Sequence, residues 1–419
     1  MTRRNFLNKA ATAGSIVMLP LPWPDPGQIE DNQNRKVIRD FIEQSFPDRI
    51  HPPVGAMQHP FIDPGAAYKG ILWDWDAYFS LRGLQPWKEK VGGVAEGCIR
   101  NFLDFQRADG SIPYAITKWS KKENGATRPP DSDKNSAKPL MAQFALMAFE
   151  YNGKESLLAE SYEGLKKHCL HWEESQGTEL GLLTFRSHRG SGVDDHPGVY
   201  CRPLNSSVDV YLNSMMFREY RTMETIARQV RPTEVSFWED RAHALQENIE
   251  KLLWDPIDQC YYNLDVGYHR PGKVNQEVTW VTPLKFKSWT SLMPIWAGAA
   301  APERARIMVE RHLIDESKLL APAGMRSLAK NEPAYEVRVS SNPSCWRGPV
   351  WVVNNFMVCE GLRAYGFEEA ATTIASRITK TLADDIRTNN HLHEYYDPET
   401  GKGLTHPGFV NWNTLGAII

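Results

Sequence analysis

From Lys36 onward, stretches whose apolar residues recur every three or four positions alternate with loops rich in Gly, Pro and Asn. That alternation leaves room for little but helices packed in pairs. Residues 94–106 put Val94, Cys98, Phe102 and Phe105 on one side and stop at Asp109-Gly110. Residues 207–230 gather Val208, Tyr211, Met215, Met223, Ile226 and Val230, and residues 235–254 gather Trp238, Ala242, Leu245, Ile249 and Leu252. Residues 138–151 are apolar almost all round, which implies a helix buried on several sides. Helical spacing continues through 37–46, 156–174, 290–312, 348–365 and 368–388, with shorter pieces at 73–83 and the C-terminus. The total is about a dozen helices. Strand signals are best at 182–187 and 260–266, each beside an acid-bearing loop. No internal repeat, low-complexity tract or composition break divides the chain, so a helical bundle and an α/α toroid both fit.

Composition narrows the function classes. A net charge of −3 over 419 residues supplies no basic field for nucleic acid and no polybasic membrane patch. Fourteen tryptophans provide flat apolar platforms suited to stacking on sugar rings, although core packing also uses them. The six cysteines (Cys98, Cys169, Cys201, Cys260, Cys345, Cys359) are dispersed without a C-x-x-C, so neither a zinc nor a redox motif is present. The start, M-T-R-R-N-F-L-N-K followed by a mildly apolar run to Leu21, is similar to a twin-arginine export signal. A mitochondrial presequence or a chance basic start are the alternatives. Residues 1–33 are expected to be signal and linker and residues 34–419 the folded domain, placed in the periplasm or outside the cell. The apolar run is too short to span a bilayer.

Four loops carry acids among aromatics or basic groups. Residues 186–198 read R-S-H-R-G-S-G-V-D-D-H-P-G, with Asp194, Asp195 and His196 in the middle. Neighbouring side chains diverge, so if one acid enters a pocket the other orients a neighbour or the substrate; by its own pattern the segment also fits a solvated turn. Residues 73–79 read W-D-W-D-A-Y-F, in which Trp73, Trp75, Tyr78 and Phe79 offer faces for C–H groups and Asp76 an acceptor for hydroxyls. Residues 344–351 read S-C-W-R-G-P-V-W, placing Trp346 and Arg347 before a helix that Pro349 can open. Residues 391–398 read H-L-H-E-Y-Y-D-P, with Glu394 beside Tyr395 where partial desolvation suits proton transfer. His391, His393 and His406 lack a further ligand at metal-site spacing, so no metal is expected. Neither G-x-S-x-G nor a phosphate-cradling glycine motif occurs, and no cofactor is expected.

In this order, W-D-W-D-A-Y-F, S-G-V-D-D-H-P, W-R-G-P-V-W and H-E-Y-Y-D-P resemble the sugar hydrolases of glycoside hydrolase family 63, with trehalases more distant. The short bacterial members, among them mannosylglycerate and glucosylglycerate hydrolases, are similar in length. The resemblance runs from about Asp63 to the C-terminus. It implies an all-α (α/α)6 toroid with a few short β-hairpins, a small carbohydrate substrate, and inverting hydrolysis of an α-glucoside or α-mannoside. Carried over by motif, the catalytic acid falls on Asp194 and the base on Glu394. Trp73, Trp75, Asp76, Tyr78 and Phe79 fall in the sugar-binding element, and Trp346, Arg347, Trp351 and Tyr395 on the opposite wall. The chain departs from the family at Asp195 and His196, where D-N-S-P is usual, at Val352, and at Lys138, where a Q-P-P element stands. Lys138 would meet either an anionic leaving group or a hydroxyl. The last helix is expected to be short and the ring's closure imperfect. A sugar epimerase using His391 and His393, or a non-catalytic sugar-binding toroid, are the competing readings.

Overall fold

A computed structural model describes residues 33–121, 135–267, 281–338 and 344–419; the segment expected to act as an export signal lies outside these. Among the described residues there are twelve α-helices: α1 (Gln33–Ser45), α2 (Asp74–Gly83), α3 (Lys88–Asp104) and α4 (Met141–Asn152). They continue with α5 (Ser156–Gln176), α6 (His188–Ser191), α7 (Val210–Val230) and α8 (Val235–Asn248). The last are α9 (Met293–Ala297), α10 (Pro302–Met308), α11 (Val352–Ala364) and α12 (Glu368–Asn389). A 3-10 helix, Asn411–Ala417, completes the set.

These elements form an (α/α)6 toroid. The inner ring is α2, α4, α7, α9, α11 and the 3-10 helix Asn411–Ala417, and successive members pack on one another. Between α2 and α4 the contact is made by Tyr78 on Phe144, ring centroids 5.8 Å apart, and by the Tyr151 hydroxyl donating to the Leu81 carbonyl at 3.0 Å. The outer ring is α3, α5, α8, α10, α12 and α1. Burial follows this division. All ten residues of α2 are buried, whereas α1 buries only Arg35, Ile38 and Ile42, and α8 only Trp238, Ala242 and Leu245. Inner helices therefore need apolar residues all round and outer ones a single stripe.

Most of the expected helices form near the expected places, with three differences. Residues 290–312 are not one helix. A 3-10 turn Trp289–Leu292 leads into α9, which ends at Gly298 in the left-handed region (φ +76°), and Pro302 opens α10. Ser207–Val208 is a strand, and α7 starts after Asp209, whose side chain accepts from the Leu212 N–H at 3.0 Å. The loop 346–351 reaches further than expected, so α11 begins at Val352. The ring closes fully: α1 packs on Asn411–Ala417, and the Arg35 guanidinium donates to the Ile419 carbonyl at 2.5 Å. Gly83 lies against the Thr414 backbone, where an added Cβ would come within 2.3 Å.

The strands are short and sit in the loops at one end of the ring. Ile71–Trp73 pairs antiparallel with Ala115–Thr117, opposing Trp73 to Ala115. A four-stranded antiparallel sheet runs in the order Thr282–Leu284, Asn263–Asp265, Ser207–Val208, Thr184–Phe185. Its last pair pinches the loop 186–206 at its base.

Away from the loops an ion cluster ties four inner helices together. Glu360 of α11 accepts from Arg82 of α2 at 2.8 Å, Arg218 of α7 at 3.4 Å and the Trp296 indole of α9 at 2.8 Å. Burial works against the Glu360 charge, but Arg218 and Arg82 outweigh it and hold the carboxyl below the usual range. This contribution to stability is present above the ordinary glutamate range and is lost as pH falls through the depressed value. Glu360→Gln leaves two arginines facing each other without a counter-ion and is expected to lower unfolding free energy by about 3–5 kcal/mol, measured by urea denaturation at neutral pH.

Candidate active site

The inner helices begin at the loop-bearing end of the ring, and the residues just before or within their first turns line a cavity of about 270 Å³. Trp73, Asp74, Trp75 and Asp76 come from the start of α2, Lys138 from the approach to α4, Ser344 from the approach to α11, and Trp412 from the last 3-10 helix. Tyr68, Tyr114, Arg189, Gly192, Asp194 and Glu394 complete the wall.

Asp194 stands on a turn made by its own sequence. Ser187 to Gly192 form one turn of helix, and Gly192 then reverses the chain at φ +73°. A Cβ at Gly192 would meet the Trp75 ring at 2.9 Å and the Lys138 side chain at 3.1 Å, so glycine is required both for conformation and for close approach. Burial raises the Asp194 carboxyl above its ordinary value; a Ser344 hydrogen bond and the charges of His188 and Lys138 oppose this, and Asp195 adds to it.

Glu394 is 3% exposed. Burial raises its carboxyl as well, and Asp194 raises it further, which marks the two acids as electrostatic neighbours. The opposing influence is strong: His406 Nδ1 hydrogen-bonds to Oε2, and the Tyr68 hydroxyl points at Oε1 from 3.5 Å. The loop carrying Glu394 is clamped to the 346–351 loop by paired backbone bonds between Val350 and Tyr396, both 2.9 Å.

Opposite sit Asp74, Asp76 and Lys138. The Lys138 ammonium lies 3.2 Å from Asp74 and 4.8 Å from the centroid of the Trp75 ring. Asp76 accepts from the Asn411 amide at 2.5 Å, and burial together with the Asp74 charge lifts its carboxyl to about 7. The positive charge of Lys138 is thus already balanced inside the protein. This favours contact with a hydroxyl over capture of an anion.

Of the other residues singled out by sequence, eight do not line the cavity. Tyr78 and Phe79 follow α2 away from the mouth into the core, both buried. Trp346, Trp351 and Tyr395 form a layer behind the wall: Trp346 and Trp351 stack with centroids 3.9 Å apart, and Trp346 packs on Trp75 at 5.8 Å. Asp195 turns away from Asp194, as divergent neighbours must, and accepts from the Trp346 N–H at 2.6 Å and from Arg347 Nε at 3.0 Å. Arg347 is held there, behind the wall. His196 hydrogen-bonds to Ser288 at 2.9 Å, and burial lowers it to about 4, so it stays neutral and adds no charge near Asp194.

Tyr68, Asp74, Tyr114, Gly192, Ser344, His406 and Trp412 escaped selection as site residues. Asp74, Gly192 and Ser344 stand inside the quoted motifs. Tyr114 carries no signal, because it reaches the wall only through the strand that pairs with Ile71–Trp73. Among the described residues no group of His, Cys, Asp and Glu is arranged to hold a metal ion. All six cysteines are free.

A family model, the mannosylglycerate hydrolase MGH1-like glycoside hydrolase domain, matches residues 68–412. The chain is 25% identical over 410 residues to a probable mannosyl-oligosaccharide glucosidase of Schizosaccharomyces pombe, covering 94% of this chain and 44% of the glucosidase. It is 29% identical over 228 residues to a mannosylglycerate hydrolase of Thermus thermophilus, covering 54% of this chain and 48% of that protein. The chain thus spans about half the length of these relatives. A periplasmic trehalase of Shigella flexneri is 27% identical over 424 residues, covering 86% of this chain and 68% of the trehalase. Among solved structures, a GH63 mannosylglycerate hydrolase from Thermus thermophilus in complex with glucose has the same fold, with a TM-score of 0.67 at 20% identity over 92% of this chain and 99% of that one. With its fold, its cavity and a family match over most of its length, the chain belongs to the MGH1-like glycoside hydrolase domain family.

Proposed function

We propose that this protein hydrolyses an α-glucoside or α-mannoside of a small sugar or oligosaccharide with inversion, Asp194 acting as general acid and Glu394 as general base. The observation that carries this reading is the meeting of two carboxyls from distant loops, Glu394 buried and Asp194 partly so, in the lining of one cavity. Inversion needs a proton donor at the leaving oxygen and an ionised base that activates water on the opposite face, about 6.5–9.5 Å away. Their surroundings differ in the required sense. Glu394 is bonded directly to an imidazole and faced by a phenol, both of which favour its ionised form. Asp194 has the Ser344 hydroxyl as its hydrogen-bond partner and the charges of His188 and Lys138 in its surroundings. Separation of the two titrations in this way is how a carboxyl pair divides the acid and base roles. Trp73, Trp75 and Trp412 offer ring faces, and Asp74, Asp76 and Lys138 offer polar contacts to hydroxyls. The cavity is at the small end for ligand sites, roughly 300–1,000 Å³, which suits one sugar ring and a small leaving group.

The paired histidines that an epimerase would use support this reading indirectly. His393 is bonded to Asp385 at 2.9 Å and His391 packs on it, and neither lines the cavity. Export through the N-terminal Arg3-Arg4 segment belongs to the same proposal. It fits the free cysteines and the likeness to a periplasmic trehalase.

Asp194→Asn and Glu394→Gln are each expected to reduce hydrolysis of α-glucosides and α-mannosides by about 10³-fold or more while thermal unfolding changes little. Near wild-type turnover in Glu394→Gln would remove the base assignment. Proton NMR of the first product should show the β-anomer before mutarotation, whereas an initial α-anomer means retention. The pH profile of kcat/KM should be bell-shaped, rising as the base ionises and falling as the acid loses its proton. Because burial raises both carboxyls, both limbs should lie above the ordinary carboxylate range, reported as apparent values of the pair. Replacing Arg3 and Arg4 with lysines should hold the protein in the cytoplasm, read by cell fractionation.

A further inference from the structure

Glu394 is reached from the far side of the cavity by the segment 404–408. Two backbone bonds fasten that segment to the Glu394 loop on either side of His406: Glu394 N–H to the Thr405 carbonyl at 3.1 Å, and Gly408 N–H to the Leu392 carbonyl at 2.9 Å. His406 itself is held at φ +47°, a conformation a non-glycine residue seldom adopts unless its surroundings impose it. Its ring packs edge-on to Tyr68 at 5.4 Å, and Tyr68 packs in turn on Phe409 at 6.0 Å. The result is a bracket: Nδ1 of His406 on one carboxylate oxygen of Glu394, the Tyr68 hydroxyl towards the other. The imidazole side chain is 21% exposed and that of Glu394 4%.

Resting on the reading of Glu394 as the base, we infer that His406 is a positioning residue that fixes the plane of the Glu394 carboxylate and keeps it ionised, and so sets the acid limit of activity. The charged and titratable groups around the pair are few. Tyr68 packs on His406 and points its hydroxyl at Glu394, Asp194, Asp76, Lys138 and Arg189 line the same cavity, and Tyr395 follows Glu394 in sequence. Asp194 and Asp76 oppose ionisation of Glu394, and His406 is the group bonded to it that favours the charge. Glu394 in return raises the His406 imidazole, through their hydrogen bond and its charge, which extends the range over which the histidine keeps its proton. His406 holds Oε2 and the longer Tyr68 contact meets Oε1 at 3.5 Å, while Glu394 still lines the cavity. A merely structural histidine would not couple to the base in this way.

The test uses the full chain and an aryl α-glucoside or α-mannoside, whose leaving group needs little protonation, so that the base limits the rate. His406→Ala is expected to move the ascending limb of kcat/KM to higher pH by about half a unit or more, and to lower kcat about tenfold or more with KM changed less than threefold. His406→Asn, which restores an N–H near Nδ1 without the charge, should recover part of kcat but leave the limb displaced. NMR titration gives a second readout independent of turnover: the His406 imidazole should titrate at lower pH in Glu394→Gln than in the unmodified protein, because the partners' shifts are reciprocal. An ascending limb unmoved in both His406 variants, or a His406 titration unchanged in Glu394→Gln, overturns the inference. Failure of the underlying assignment is separate, since it would appear as an active Glu394→Gln enzyme.

Discussion

A layer of stacked indoles holds the site together. Trp346 and Trp351 lie face to face, Trp75 and Trp289 pack on Trp346, and Trp412 packs on both Trp75 and Trp351. Trp75, Trp351 and Trp412 stand at the starts of α2, α11 and the last 3-10 helix, Trp289 in the turn that leads into α9, and Trp346 in the loop before α11. Each aromatic contact is worth about 0.5–1.5 kcal/mol beyond the area it buries, and together they fix loops that share no sheet or disulfide. The cavity wall is the outer surface of this layer. Trp75 and Trp412 line the cavity, while Trp346, Trp351 and Trp289 hold them in place.

Charge is arranged in levels along the ring axis. Where the inner helices close, Glu360 is compensated by two arginines. At the mouth, Asp74 is compensated by Lys138 and Glu394 by His406. Asp76 has an amide and Asp194 a hydroxyl as bonding partner, with burial the dominant influence on both. A desolvated carboxyl without a bonded cation holds its proton longer than one with it, and the proposed division of acid and base roles relies on this asymmetry. Asp195 serves a mechanical purpose: its bonds to Trp346 N–H and Arg347 pull the Asp194 loop onto the indole layer. Replacing it with the usual amide of the family would keep the bond to the N–H and lose the ion pair.

Much of the fold was legible in the chain because inner and outer helices differ in pattern. The all-round apolar character of 138–151 implied a helix buried on several sides, and α4 is an inner helix; the one-sided patterns of 94–106 and 235–254 fall on outer helices, but that of 207–230 falls on the inner helix α7. The break inside 290–312 was harder to see, because its apolar spacing runs on through Gly298 and Pro302, and only the backbone reversal at Gly298 ends α9. Strand pairing at 71–73 and 115–117 left almost no trace. Three-residue strands carry too little period to register, and Tyr114 reaches the cavity wall by that pairing alone.

What the sequence determined by itself is the chemistry brought to the mouth: the acids and indoles of four loops, in the order that the family shares, and the helical periods that place those loops between helix pairs. It also determined that Asp194 and Asp195 have different duties, because adjacent side chains diverge. Which of them faces the cavity was decided by tertiary structure, through the positive φ of Gly192 against Trp75 and the capture of Asp195 by Trp346. The partnership of Glu394 with His406 was decided there too. Twelve residues separate them, no helical or strand period relates them, and only the folding of 404–408 back onto the Glu394 loop brings the imidazole to the carboxylate.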